Sequence, residues 1–247
     1  MGQINILKNV RFDKVSCICV TRNRARLLEK SIRCFKNQSF SNKELVILYY
    51  SDDFETKKLA VDTNVDNVFF HEYDVSEGLS LGELRNRCVS LTTGDYICVW
   101  DDDDWFDSGR ILKQYVRLMY VDKAACLLKQ LVIYDYETDE MFFTLSRSEG
   151  WEGSMLCKKE ELLNHPYGDM DRHEDTHMLT QLHKKDKIYP IDDPTIYVYF
   201  FHSNNTSNRE HLEKMKEQSE PLTESQEKIV RGCIREYIED YKLIKDA

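Results

Sequence analysis

Hydrophobic and polar positions alternate along the chain in blocks of strand and helix length. Val15–Val20 (VSCICV) is an uncharged, β-branched run that ends at Thr21-Arg22-Asn23. Leu28, Ile32 and Phe35 then recur at spacings of four and three, the period of a helix with one apolar face. Leu45–Tyr50 (LVILYY) reads as a second buried strand, closed by Ser51-Asp52-Asp53, and Asn67–Phe70 as a short third. Leu81, Leu84, Cys88 and Leu91 form the stripe of a second helix, with Gly94 predicted to close it as a C-terminal glycine. Asp95–Trp100 (DYICVW) is a fourth strand and runs straight into Asp101-Asp102-Asp103-Asp104-Trp105.

Strands alternating with helices predict an α/β fold with a mostly parallel, Rossmann-like sheet covered on both faces. Ligands of such sheets bind outside the carboxyl ends of the strands. Thr21–Asn23, Ser51–Asp53 and Asp101–Asp104 all fall there, so one crevice can collect them. After a helix near Ser108–Tyr120 the rhythm changes. Strand-like pieces at Ala125–Tyr136, Met141–Leu145, Gly153–Cys157 and Ile196–Phe201, with a helix over Glu174–His183, predict a smaller mixed sheet. From about Asn208 the chain is charged and helical. It carries two apolar stripes, Ile229-Cys233-Tyr237-Tyr241 and Val230-Ile234-Ile238. Packing onto the core is the expected use of that face, and a homo-oligomer joined through this helix is the alternative.

Composition narrows the class. With 34 basic and 44 acidic residues the net charge is −10, which argues against a nucleic-acid surface. Basic residues still cluster locally, at Arg22, Arg24, Arg26, Lys30 and Arg33 and again at Arg85 and Arg87, so a small anionic ligand fits. The eight cysteines form no C-x-x-C pair, which disfavours both a zinc ribbon and a disulfide framework and suits a reducing cytosol. In that compartment the sequons at Asn37, Asn204 and Asn205 carry no meaning. No apolar run approaches the roughly 20 residues needed to cross a bilayer, and the opening MGQINILKNVRFDKV lacks the apolar core of a signal peptide.

The four consecutive aspartates are the strongest chemical signal. Like charges about 4 Å apart repel by about 1 kcal/mol in water and several-fold more where solvent is excluded. A hard divalent cation such as Mg²⁺ or Mn²⁺ removes that penalty and usually leaves positions open for phosphate. An exposed acidic turn capping the next helix is the plainer reading, but Asp107 and Ser108 are better placed for capping.

Val15–Asp53 and Gly82–Trp105 resemble the family 2 glycosyltransferases of the GT-A fold, the fold of nucleotide-diphospho-sugar transferases. VSCICVTRNRARLLEKSIRCFKNQSF is similar to the family's opening strand and helix. GELRNRCVSLTTGDYICVWDDDDW is similar to its second half, Arg-Asn pair and Asp-x-Asp signature included. GWEGSML, RHEDTHML and YVYFFHSNNTS follow in the family's order. The resemblance implies a transferase domain over residues 1–207, with a nucleotide-binding half at about 13–105 and an acceptor half at about 106–207. A helical extension would follow over 208–247.

Carried onto this sequence, the resemblance implies that Thr21 and Arg22 line the base pocket and that Arg85 faces the donor. Asp101 and Asp102 would contact ribose or the metal region, Asp103 would hold Mn²⁺ or Mg²⁺, and His202 would be a second ligand or a phosphate contact. Asp175 would be the general base of an inverting transfer to a hydroxyl. Glu174 would orient the acceptor or tune Asp175 by like-charge coupling, and Trp151, flanked by loop-like Gly150, Glu152 and Gly153, would stack on a sugar ring. The plainer reading of Glu174-Asp175 is an acidic first turn complementing a helix dipole. The implied partners are a nucleotide-sugar donor and a saccharide or lipid-linked saccharide acceptor. The implied place is the cytoplasm, at the inner face of a membrane. One motif departs from the family, which usually ends its second strand in Asp-Asp-Gly-Ser with an aspartate reading the base. Here Tyr49-Tyr50 stand there and the acidic pair comes three positions later. Either Asp52 reaches the base from the loop, or Tyr49 or Tyr50 stacks on it, and the choice of base, uridine in much of the family, is open between these arrangements.

Three rivals remain. His173-Glu174-Asp175-Thr176-His177 matches the zinc-protease motif H-E-x-x-H, with His183 at a third-ligand spacing, although Thr180 replaces the glycine that the longer motif needs. A sugar-nucleotide pyrophosphorylase would need a glycine-rich loop after the first strand, and CVTRNRARLL has no glycine. A GT-A-fold binding protein that lost catalysis is the third.

Overall fold

The computed structural model describes residues 12–145, 150–202, 205 and 209–245, with side chains through Glu239. Residues 146–149, Asn204, the Tyr241 side chain and the 206–208 junction lie outside the described residues.

The first half alternates as the hydrophobic pattern predicts: β1 (Val15–Thr21), α1 (Ala25–Lys36), β2 (Lys43–Tyr50), α2 (Phe54–Asp62), β3 (Val68–Tyr73), α3 (Leu81–Leu91) and β4 (Tyr96–Val99). The second half comprises β5 (Trp105–Phe106), α4 (Arg110–Tyr120), β6 (Ala125–Leu128), β7 (Gln130–Asp135), β8 (Glu140–Leu145), β9 (Trp151–Lys158), α5 (Lys159–Asn164), α6 (Glu174–Lys184), β10 (Ile188–Ile191) and β11 (Tyr197–Phe201). The extension adds α7 (Arg209–Glu217), β12 (Glu220–Pro221) and α8 (Glu224–Lys245).

A seven-stranded sheet runs β10-β6-β9-β4-β1-β2-β3, and a five-stranded sheet runs β12-β8-β7-β11-β5. In the large sheet β4, β1, β2 and β3 are mutually parallel, and β9 is antiparallel to both β4 and β6. β1 and β2 are apolar on both faces because helices cover both. Leu28, Ile32 and Phe35 of α1 pack on one side, and Leu84 and Cys88 of α3 with Met178 and Leu182 of α6 on the other. Each fully buried Leu, Ile or Phe contributes about 1.5–3 kcal/mol.

Several boundaries depart from the sequence pattern. The single run predicted over Ala125–Tyr136 divides at Lys129, so that β6 joins the large sheet and β7 the small one. Trp151 and Glu152 are not loop residues: β9 begins at Trp151, and Glu152 is buried. α2, α5 and β10 lack a clear apolar period and were not predicted. α2 is set by its cap, where the Asp53 carboxylate accepts from the Thr56 amide at 3.0 Å. Gly94 does not close α3, which ends at Leu91 with an extended cap at Thr92. A Cβ at Gly94 would lie 2.5 Å from Ser16 Oγ and 2.6 Å from Lys14 O, so the glycine permits close approach to β1.

A buried carboxylate fastens the opposite end of the sheet from the crevice. Glu44 accepts from Ser16 Oγ at 2.6 Å and from the Thr93 amide and hydroxyl at 2.6 and 2.8 Å, and it pairs with Lys14. Burial alone would raise its pKa, but these donors outweigh burial and bring it to about 2. The extension is built into the small sheet. β12 pairs with β8, and Ile234, Tyr237 and Ile238 of α8 are buried against Val132, Tyr134, Val198 and Phe200, while Ile229 and Cys233 stay exposed. All eight cysteines are free thiols.

Candidate active site

β1, β2 and β4 end side by side, so their trailing loops share one crevice, and the aspartate turn lies at its centre. The turn follows β4 and Trp100, whose indole N–H donates to Ser31 O at 3.2 Å. Asp102, Asp103 and Asp104 are buried. Thr21, at the end of β1, donates to Asp102 at 2.6 Å, and Arg24 Nη1 bridges Asp102 and Asp103 at 3.1 and 2.9 Å. His202 Nε2, just beyond β11, lies 3.2 Å from Asp103 Oδ2, and Asn205 Nδ2 donates to the same oxygen at 3.1 Å. Asp104 points the other way, accepting from Tyr197 OH at 2.5 Å and the Phe200 amide at 3.0 Å.

Four adjacent carboxyls are thereby driven apart electrostatically. Burial works to raise Asp103, but His202 and the Arg24 charge outweigh it and hold Asp103 below the ordinary value. Burial, then the Asp103 charge, pushes Asp102 up to about 7. Burial, then the charges of Asp103 and Asp101, drives Asp104 well above the carboxylate range. Burial also raises Asp101, against the pull of Arg85. Of the four, Asp103 is the one whose pKa is lowered, and it faces His202.

Arg85 of α3 connects this turn to the Glu174-Asp175 pair. Its guanidinium lies 3.3 Å from Asp101, 3.2 Å from Glu152 and 3.3 Å from Glu174. Burial opposes the charge on Arg85, but the surrounding carboxylates and Tyr167 raise its pKa well above normal. Glu152 also accepts from Tyr167 OH at 2.6 Å, and burial pushes it up to about 8. Burial raises Glu174 likewise. The segment leading to α6 is latched onto α3. Asn86 exchanges two 2.9 Å hydrogen bonds with the Tyr167 backbone, and Gly82 N donates to Met170 O at 3.1 Å. A Cβ at Gly82 would lie 1.8 Å from Gly168 O. Asp175, one residue past Glu174, is half-buried in the first turn of α6, and its charge adds to the raising of Glu152 and Glu174.

At the outer end of the crevice Arg22 pairs with Asp52 at 2.6 Å and lies 4.5 Å over the Tyr50 ring. Asp53 is engaged elsewhere, capping α2 and accepting from the Asn23 amide at 2.6 Å. Tyr49 turns to the other face of β2, against Phe70 and Glu72. Trp151 donates to Tyr197 OH at 3.0 Å and meets the Tyr199 ring edge-on at 5.2 Å, so it joins the Asp104 network.

The donor set suits a hard divalent cation bound by few protein ligands. Asp103 Oδ2 and His202 Nε2 are 3.2 Å apart, close to the roughly 3 Å between neighbouring ligands of a six-coordinate ion at about 2.1 Å. Among the described residues no group of three or more His, Cys, Asp or Glu side chains could hold a metal. An ion here would be completed by phosphate oxygens and water, as is usual for Mg²⁺. The local geometry of α6 disfavours the zinc-protease reading. His173 stands outside α6 in the left-handed region at φ 62°, so His173 and His177 do not form a helical ligand pair. Both are exposed with His183, and Glu174 is buried on Arg85.

Sequence reasoning missed Arg24, Glu152, Tyr167 and Asn205 as site residues. A buried Glu at the start of a strand, and the second Asn of HSNN, carried no periodic signal, because their partners are distant in sequence.

The model of the family described as Glycosyl transferase family 2 matches residues 16–181. The GalNAc(5)-diNAcBac-PP-undecaprenol beta-1,3-glucosyltransferase of Campylobacter jejuni is 29% identical over 100 residues, 40% of this chain and 32% of the relative. TarS 1-349 of S. aureus in complex with UDP-GlcNAc superposes with a TM-score of 0.63 at 13% identity, covering 78% of this chain and 60% of TarS 1-349. The mannosyltransferase PcManGT from Pyrobaculum calidifontis, in complex with GDP-Man and Mn²⁺, gives a TM-score of 0.59 at 14% identity, covering 85% of this chain and 63% of that one. The chain thus spans about a third of the curated relative it matches and less than two thirds of these two structures.

Proposed function

The chain belongs to glycosyl transferase family 2, and from that membership we propose that it transfers a sugar from a nucleotide-diphosphate sugar to a hydroxyl acceptor with inversion. Its fold is GT-A, and the activity is that of a glycosyltransferase. One observation carries the finer reading. Arg85 holds Glu174, and with it the Asp175 turn, against Asp101 of the acidic cluster, so a candidate base and a candidate phosphate site share one crevice.

In this reading Thr21, Arg22, Tyr50 and Asp52 receive the nucleoside, and Asp101 and Asp102 line the path to the diphosphate. Asp103 and His202 would hold Mn²⁺ or Mg²⁺, which when bound would neutralise charge on the departing diphosphate. Asp175 accepts the proton of the acceptor hydroxyl as its oxygen attacks the anomeric carbon. Arg85 fixes Glu174 so that the first turn of α6 keeps its distance from the acidic turn. Trp151 lines the acceptor side. The UDP-GlcNAc and GDP-Man of the structural relatives support the donor class, and the undecaprenol-linked substrate named for the Campylobacter relative supports a lipid-linked saccharide acceptor. Such an acceptor would bring the enzyme to the cytoplasmic face of a membrane. No described helix is long and apolar enough to cross one.

A thermal-shift panel of UDP, GDP, CDP and dTDP, each with Mn²⁺, Mg²⁺, Zn²⁺ or EDTA, tests the donor site. One nucleoside diphosphate should raise Tm only with Mn²⁺ or Mg²⁺, and Asp103→Ala should abolish that rise. A rise that survives Asp103→Ala would remove Asp103 from the ion site.

A further inference from the structure

The four-aspartate turn is gripped by its backbone at both ends, and one grip comes from outside the family-matched residues. At the near end Ser31 Oγ of α1 donates to Asp101 O at 3.1 Å. At the far end Tyr237 OH of α8 donates to Asp104 O at 3.0 Å. The match to the family model ends at residue 181, and Tyr237 lies 56 residues beyond it. The two grips are coupled. Lys30, next to Ser31, is buried, donates to Tyr237 O at 3.1 Å and lies 4.8 Å over the Tyr237 ring. That ring packs on Phe200 at 4.7 Å, and Phe200 gives its amide to the Asp104 carboxyl.

From this closed circuit we infer that α8 is a positioning element of the active site, with Tyr237 the residue that sets the height of the acidic turn. A turn carrying four carboxyls tends to open, since each carboxyl gains solvation and relief from its neighbours by moving out. The Asp104 side chain anchors the turn to β11, and Trp105 pairs with Val198 just beyond it. A hydrogen bond to the carbonyl between these anchors holds the Asp104–Trp105 peptide at the far end of the turn and limits how far Asp103 can swing from His202. A buried phenol is suited to the task, because its ring fixes the hydroxyl and its only rotor is the O–H bond. Tyr237 acts through the turn and touches no substrate. The inference rests on the proposed donor site for its consequence but not for its geometry.

The test uses Tyr237→Phe, Ser31→Ala and, as a packing control, Ile234→Val, which trims the contact of the same helix with the small sheet and leaves both hydrogen bonds in place. Amide hydrogen exchange of ligand-free protein reads the turn directly, and titration with Mn²⁺ and the nucleoside diphosphate chosen by the thermal-shift panel reads the site. Loss of one net hydrogen bond predicts exchange over residues 101–106 faster by about threefold to tenfold in Tyr237→Phe and Ser31→Ala, with nucleotide affinity weaker by a similar factor. Ile234→Val should lower Tm while leaving both readouts at the wild-type value. Unchanged exchange at 101–106 in Tyr237→Phe overturns the inference and leaves α8 as core packing. Faster exchange with unchanged affinity overturns the positioning role as well. Should wild type bind none of the four nucleotides, the exchange result still decides whether α8 sets the turn, and only the donor-site reading falls.

Discussion

Replacing Arg85 with Met would remove the guanidinium that meets Asp101, Glu152 and Glu174 at 3.2–3.3 Å. Methionine keeps the length and apolar contact of the stem, so the perturbation is mainly one of charge. Breaking a buried ion pair by deleting one partner costs about 3–5 kcal/mol, because the other charge is left buried. Glu152, pushed up to about 8, already holds its proton below that pH, whereas Glu174 has an escape, which is protonation. Protonating a carboxyl of ordinary pKa 4.5 costs about 1.4 kcal/mol per pH unit above that value. At pH 8 the escape is expensive and the full 3–5 kcal/mol is expected, whereas at pH 5.5 it is about 1–2 kcal/mol. The sign follows from linkage. Loss of Arg85 lifts the folded-state pKa values of Glu152 and Glu174 further above their unfolded values. The stability associated with such groups is complete below the unfolded value and is lost as pH rises through the folded one. For a chain of this size about 2–4 °C accompanies each kcal/mol. Calorimetric melts should therefore show a Tm deficit of about 6–20 °C at pH 8, shrinking to about 2–8 °C at pH 5.5. A deficit of equal size at both pH values would refute the argument, as would one below about 2 °C at pH 8.

Asp175→Asn should leave nucleotide affinity unchanged and reduce turnover by about 10²–10⁴, measured as single-turnover sugar transfer; near-wild-type turnover would remove Asp175 as the base. Gly82→Ala should displace the segment that leads to α6, because the new Cβ would meet Gly168 O at 1.8 Å. A loss of about 1–3 kcal/mol with a fall in turnover is expected, and an unaltered urea midpoint would contradict the close approach. Glu44→Gln removes a carboxylate whose pKa lies at about 2. A lowered folded value gives stability that is present above the unfolded pKa of 4.5 and lost as pH falls through the folded one. The variant should be weaker by about 1–3 kcal/mol at pH 7 and close to wild type near pH 2. A pH-independent difference in urea titrations would count against the assignment.

Much of the architecture is legible in the chain because local rules and the final fold agree. The uncharged runs at Val15–Val20 and Leu45–Tyr50 have no stable place except a doubly covered sheet, so β1 and β2 follow from composition. Asp101–Asp104 at the end of an apolar strand announces a site because so much like charge is costly without a counter-ion. Spacing also suggested a zinc helix, and tertiary structure decided against it: His173 falls outside α6, and Arg85 claims Glu174.

Other decisions needed contacts between residues far apart in the chain. Lys129 divides one apolar run between two sheets, which no period-two pattern reveals, since each piece alternates equally well. Gly94 looks like a helix stop, and only the approach of Ser16 shows that it serves the packing of α3 and β4 against β1. Which aspartate has its pKa lowered is likewise beyond the sequence. Burial raises all four, and only Asp103 has His202 and Arg24 close enough to reverse the effect. The sequence determines which groups are present and which faces they must bury. Their protonation states, partners and positions depend on distances of about 3 Å across the fold, and folding alone sets those.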